Sequence, residues 1–220
     1  MGYTLRPGVS CCSAGGFTFF LDLDRDRYFA IGGQVHAAFE RLLQSDRRTD
    51  DDPYFDQLVA DGLLVRCTDG RRPSPCVYLD RAEDSALDIA DRLDRRPTAM
   101  IALARILSAK CALRHAGLAS SVKRLASRKR RSRCRATRPD QLAGVAASFE
   151  RCNAVASPLD QCLPRSIAAA HRLLDLGMSP AFIMGVRAQP FAAHAWVECD
   201  GLIVNDRFDS VIPYVPILVL

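Results

Sequence analysis

Between Ala193 and Asp206 the chain reads AHAWVECDGLIVND, an alternating run, an aspartate-glycine pair and a second apolar run. That pattern admits an antiparallel hairpin and little else, because alternation sends successive side chains to opposite faces and glycine accepts the left-handed backbone of a tight connection. His194, Trp196 and Glu198 then share one face of the first strand. The loop decides what opposes them. A two-residue Asp200-Gly201 turn sets Asp206 opposite Ala195, on the wrong face. A three-residue Cys199-Asp200-Gly201 loop with a bulge pairs Glu198 with Leu202 and His194 with Asp206. We expect the second register, with the imidazole and the carboxylate within hydrogen-bonding distance across the strands.

Upstream, ASPLDQCLPRSIAAAHRLLDLGMSP reads as a helix that begins near residues 158–162 and stops at Gly177, with Leu163, Ile167, Ala170 and Leu174 along one face. Cys162 falls in its first turn, where unpaired N–H groups and the helix dipole favour an anion and lower a thiol pKa. The expected site is therefore a Cys162 thiolate, a His194 acid-base and an orienting Asp206. His36, His115 and His171 have no comparable partner and are expected to be ordinary helix residues. Nine cysteines without CxxC pairs or Cys/His grouping speak against both a disulfide framework and a metal site. Most are expected to be small buried apolar groups, and no cofactor is expected.

The first 80 residues form a separate pattern. GGFTFFLDLDRDRYFAIGG predicts a hairpin turning near Asp24 to Asp26, QVHAAFERLLQ a helix with Val35, Phe39, Leu42 and Leu43 on one face, and YFDQLVADGLLVR a short helix stopped by Gly62 before a strand. A turn and a last strand, CVYLD, close a winged-helix-like module. Such modules often bind DNA, but residues 1–80 hold 9 Lys/Arg against 12 Asp/Glu, the wrong sign for displacing counterions from phosphate. The RYFAI strand instead has an edge that could take an extended peptide by strand addition, with Tyr28, Phe29, Ile31 and Leu58 as groove candidates and Trp196 as a contact nearer the chemistry. The plainer alternative is that Tyr28, Phe29 and Ile31 pack under the helices.

The positive charge is a middle block, 16 Lys/Arg against 7 Asp/Glu over residues 81–150 and 5 against 6 beyond. We expect a linker at 81–96, a long helix over 97–116 and, at 123–138, a solvated or disordered basic connection. Docking of an acidic partner, anionic lipid or nucleic acid is the functional alternative for that stretch, though it lacks aromatics for base stacking. With no signal-peptide h-region and no membrane-length apolar run, the chain is expected to be cytoplasmic, without membrane insertion.

The order of Cys162, HAWVE and Asp206 resembles the transglutaminase-like cysteine proteases. CLPRSIAAAHRLLDLG with HAWVECDGLIVND is more particularly similar to the leader peptidases of lasso-peptide biosynthesis, and FFLDLDRDRYFAI before a helix resembles the precursor-recognition element often fused to them. The resemblance implies an α+β chain in which a winged-helix-like domain at 1–80 grips a precursor leader and a transglutaminase-like, papain-like cysteine protease domain at 97–220 cuts leader from core. It also implies a triad of Cys162, His194 and Asp206 and a partner, the ATP-dependent macrolactam synthetase that receives the core. A transglutaminase-type acyl transferase with the same triad, and a non-enzymatic nucleic-acid-binding winged-helix protein, are the alternatives.

Overall fold

The computed structural model describes residues 2–44, 53–68, 71–90, 99–132, 138–152 and 161–220. They form two compact units. The first holds residues 1–77 with 186–192 and 215–218, and the second holds the rest.

In the first unit, β2 (Val9–Ala14), β3 (Phe17–Asp22) and β4 (Arg27–Ile31) make an antiparallel sheet in the order β2-β3-β4, so one edge of β4 is unpaired among the described residues. The β3–β4 turn falls where the acidic cluster predicts it. Asp22 accepts from the Asp24 and Arg25 N–H groups, and Asp26 takes a left-handed φ of 52°. Phe20 lies opposite Phe29 and Thr18 opposite Ile31, so these side chains share the face covered by α1 (Gly33–Gln44) and α2 (Pro53–Ala60). Phe20, Phe39, Phe55, Leu58 and Leu64 form the core there, each fully buried side chain worth about 1.5–3 kcal/mol.

The expected closing hairpin does not form. The strand after Gly62, β5 (Leu64–Cys67), pairs instead with β1 (Gly2–Leu5), from Gly2 opposite Cys67 to Leu5 opposite Leu64, and the CVYLD stretch has no regular structure. An alternating segment advertises that it will pair, but not with which strand.

In the second unit, β6 (Asp84–Ser85) and α3 (Ala86–Ala90) occupy residues expected to be linker; residues 91–96 lie outside the described ones. Next comes α4 (Ala99–Arg131), broken at Gly117 by a φ of 77°, which glycine alone adopts without a Cβ clash. Residues 99–116 of the expected helix are its first half, and 97 and 98 lie outside the described residues. The second half corrects the reading of 123–138 as a solvated or disordered connection: Lys123 to Arg131 are helical because Leu118, Val122 and Leu125 recur at helical spacing and are buried beneath the charges. Residues 133–137 lie outside the described ones.

Then follow α5 (Pro139–Arg151), α6 (Cys162–Asp175), β7 (Ala181–Arg187), β8 (Ala192–Cys199), β9 (Leu202–Ile203), the short α7 (Phe208–Val211) and β10 (Val215–Val219). The strands order as β10-β7-β8-β9-β6. Helix α6 packs along α4 and against α5, and ends as expected at Gly177, φ 79°, with the Met178 and Gly177 N–H groups bonded back to the Leu173 and Leu174 carbonyls. Among the described residues no helix is long and apolar enough to cross a membrane.

Candidate active site

Cys162 is the first residue of α6, the end of a helix at which the dipole favours an anion. His194 lies on β8 and Asp206 just beyond β9. Their meeting is not achieved by the expected register. Cys199 lies opposite Leu202 and Glu198 opposite Ile203, around a two-residue turn in which Asp200 and Gly201 both have positive φ, 49° and 75°. That is the tight turn favoured by strand twist, and continued regularly it leads Asp206 away from the histidine. The ladder stops instead. After Ile203 the strand ends, the Val204 N–H makes one more bond to the Val197 carbonyl at 2.8 Å, and the chain bends. Asp206 thereby reaches His194, with Oδ2 2.7 Å from Nε2.

Cys162 hydrogen-bonds the same imidazole. Burial alone disfavours the charged form of each group, but the mutual bonds and charges win. His194 is held up at about 9 by Asp206 and Cys162. The Cys162 thiol is lowered by His194 and by the N–H groups of Ala195 and Leu163, and Asp206 is lowered by His194, the Arg207 N–H and the Ser210 hydroxyl. Both shifts favour a thiolate-imidazolium pair. Elsewhere burial governs, pushing Cys11 and Cys12 up to about 12 and raising Cys76 and Cys152.

A polar frame that the sequence did not reveal holds the three together. The Ser166 hydroxyl, one helical turn after Cys162, lies 2.7 Å from both the Cys162 and the Ala195 carbonyl oxygens and accepts from Asn205 Nδ2 at 2.9 Å. Asn205 Oδ1 in turn accepts from the Val197 N–H at 2.8 Å. These two residues thus lock α6 to β8 and β8 to the bend that carries Asp206. Behind that bend, Ser85 donates to the Asp206 carbonyl at 2.7 Å. Buried Arg165 donates to the Phe149 carbonyl at 3.2 Å, and its charge is felt by both Asp206 and Cys162.

Trp196, expected as a substrate contact, is fully buried. Its ring stacks on His194 at 6.1 Å between centroids and its Nε1 donates to Glu198 at 2.8 Å, so it supports the imidazole from behind. Tyr214 closes a second side of the His194 ring, 5.1 Å away. Gly185 on β7 makes room for this packing, since a Cβ there would lie 2.9 Å from the tryptophan ring. Gly185→Ala is therefore expected to destabilise the chain by about 1–3 kcal/mol, read as a lower denaturant midpoint, because the fully buried ring is packed on its other sides as well.

The peptide-groove candidates divide by strand alternation. Ile31 packs against the core and Leu58 is 3% exposed, so neither faces a groove, whereas Phe29 packs on the core and also borders the hollow at Tyr28. Tyr28 is on the opposite face, within an apolar hollow of about 430 Å³ that Phe19 and Phe191 also line. Phe191 stacks on Phe19 at 5.7 Å and meets Tyr28 edge-on at 5.8 Å. Of the other histidines, His36 bonds Thr18 at 2.8 Å, His115 is exposed on α4, and His171 faces a second hollow described below. Among the described residues no group of three or more His, Cys, Asp or Glu is placed to hold a metal ion.

Comparison with curated proteins and with solved structures gave no match. A family model, the transglutaminase-like superfamily, does match, over residues 104–219. That span is more than half of the chain and contains Cys162, His194 and Asp206. Its members are typically cysteine-dependent hydrolases or transferases, and a helix-start thiolate paired with an imidazolium is the arrangement such chemistry needs. The chain belongs to the transglutaminase-like superfamily.

Proposed function

We propose that the chain is a cysteine peptidase that removes the leader from a ribosomally made precursor of the lasso-peptide type. The observation that carries the peptidase reading is the hydrogen-bonded series Cys162, His194, Asp206 at the start of α6. The lasso assignment rests on the likeness of CLPRSIAAAHRLLDLG and HAWVECDGLIVND to those leader peptidases.

The Cys162 sulfur attacks the scissile carbonyl, and the oxyanion develops at the head of α6, within reach of the Cys162 N–H. The His194 imidazolium gives its proton to the departing amine, leaving a thioester and a neutral imidazole. Water then loses a proton to His194 as it adds to the thioester, and collapse releases the acid product and restores the ion pair. Asp206 fixes the tautomer and ring orientation throughout.

The leader is held by the unit that carries β4, whose free edge offers backbone groups to an extended strand while the hollow beside Tyr28, Phe19 and Phe191 takes an apolar side chain. The product passes to an ATP-dependent macrolactam synthetase. Incubating the purified chain with precursor peptides encoded beside its gene tests this. A leader and a core whose masses sum to the precursor plus one water are expected. An amine adduct in place of the acid assigns acyl transfer, and unaltered precursor in every case overturns the reading.

A further inference from the structure

The two halves of α4 and the middle of α6 enclose a hollow of about 290 Å³. Alanines 109, 112 and 116 keep its walls short. The break at Gly117 lets side chains before and after it, Arg105 from one half and Arg124 and Arg128 from the other, line the same space. From α6 comes His171, and Ser108, Ser120 and Ser121 complete the polar lining.

These cations are only partly balanced. Asp175, in the last turn of α6, is paired with both Arg105 and Arg128, whereas Arg124 has no carboxylate partner among the described residues. Three guanidinium groups against one carboxylate leave a surplus of two positive charges. His171 does not add to it. Its Nδ1 lies 3.3 Å from Arg128 Nη1, a donor, so that nitrogen accepts and the ring is neutral; burial and then Arg128, Arg105 and Arg124 hold its pKa down at about 4. The neutral ring keeps its Nε2–H as a further donor.

We propose that this hollow binds a phosphate group, free or as a phosphate ester. The surplus of two charges matches the charge of about −1.5 to −2 that a phosphate monoester carries near neutral pH. Guanidinium forks fit its oxygens in pairs, and several donors around one space suit a tetrahedral oxyanion better than a planar carboxylate with two oxygens. The site is independent of the peptidase chemistry proposed above.

Calorimetric titration of the full chain with inorganic phosphate, diphosphate and adenosine monophosphate, with ionic strength matched by sodium chloride, tests it. Saturable binding of at least one of them is expected, weakened about tenfold or more in Arg124→Gln, which corresponds to about 1.4 kcal/mol. Arg124 is exposed, and its replacement leaves buried Val122 and Leu125 in place; Arg128→Gln, which leaves Arg105 on Asp175, is the second variant, and Arg114→Gln, outside the hollow, is expected to bind as the parent does. Tighter binding of the nucleotide than of phosphate assigns an ester and equal binding assigns the free ion, each in support. In the NMR titration of His171, bound phosphate is expected to move the midpoint upward from about 4. No saturable binding of any of the three probes, or equal binding by the parent and both hollow variants, overturns the proposal.

Discussion

Replacing Cys162 by alanine is expected to abolish precursor cleavage, a fall on the order of 10⁶ in turnover, as when any triad-type nucleophile is removed. Affinity for the leader is expected to persist. The substitution removes a single sulfur from the first residue of α6, while the contacts that seat the helix, the Ser166 hydroxyl on the Ala195 carbonyl and buried Ile167, Ala170 and Leu173, are untouched. Cleavage and binding therefore separate in this one variant, which measures binding by fluorescence anisotropy on a labelled leader and cleavage by mass. Cleavage surviving the substitution assigns the chemistry to another residue.

The second large effect is expected from Asp206→Asn. Asn offers Nε2 of His194 an ambiguous partner in place of an obligate acceptor, and the charge that favours imidazolium is gone. Two changes follow. Turnover falls by about 10²–10⁴. The alkaline limb of the pH profile also moves. In the parent enzyme the active ion pair exists above the lowered thiol pKa and below the His194 value of about 9, so kcat/KM is bell-shaped with an alkaline limb near that value. Without the carboxylate the His194 value drops and the limb shifts to lower pH, narrowing the bell. An unmoved limb assigns the alkaline ionisation elsewhere.

The residues of this site were legible one by one, and the reason they meet was not. Cys162 at a helix start and His194 on an alternating strand follow from local pattern. Asp206 was expected opposite His194 through a bulged three-residue loop, whereas the structure has the tight turn and an early end to the ladder. What bends the chain there is a set of long-range bonds, from Asn205 to Ser166 and from Ser85 to the Asp206 carbonyl, and no periodicity encodes them. The same limit explains β5, whose partner β1 lies some sixty residues away in sequence. The basic stretch shows the opposite failing. Its apolar spacing at Leu118, Val122 and Leu125 was present in the sequence but outweighed by the charge around it.

The stacking of Trp196 on His194 has an optical consequence, because Trp196 is the single tryptophan in the chain. An imidazolium withdraws electron density from an excited indole and a neutral imidazole does so far less. Intrinsic emission thus reports one chemical event, brightening as alkali strips the proton from His194, with its midpoint near 9 in the parent and lower in Asp206→Asn. The chain carries its own lamp for watching its acid-base group, with no dye attached.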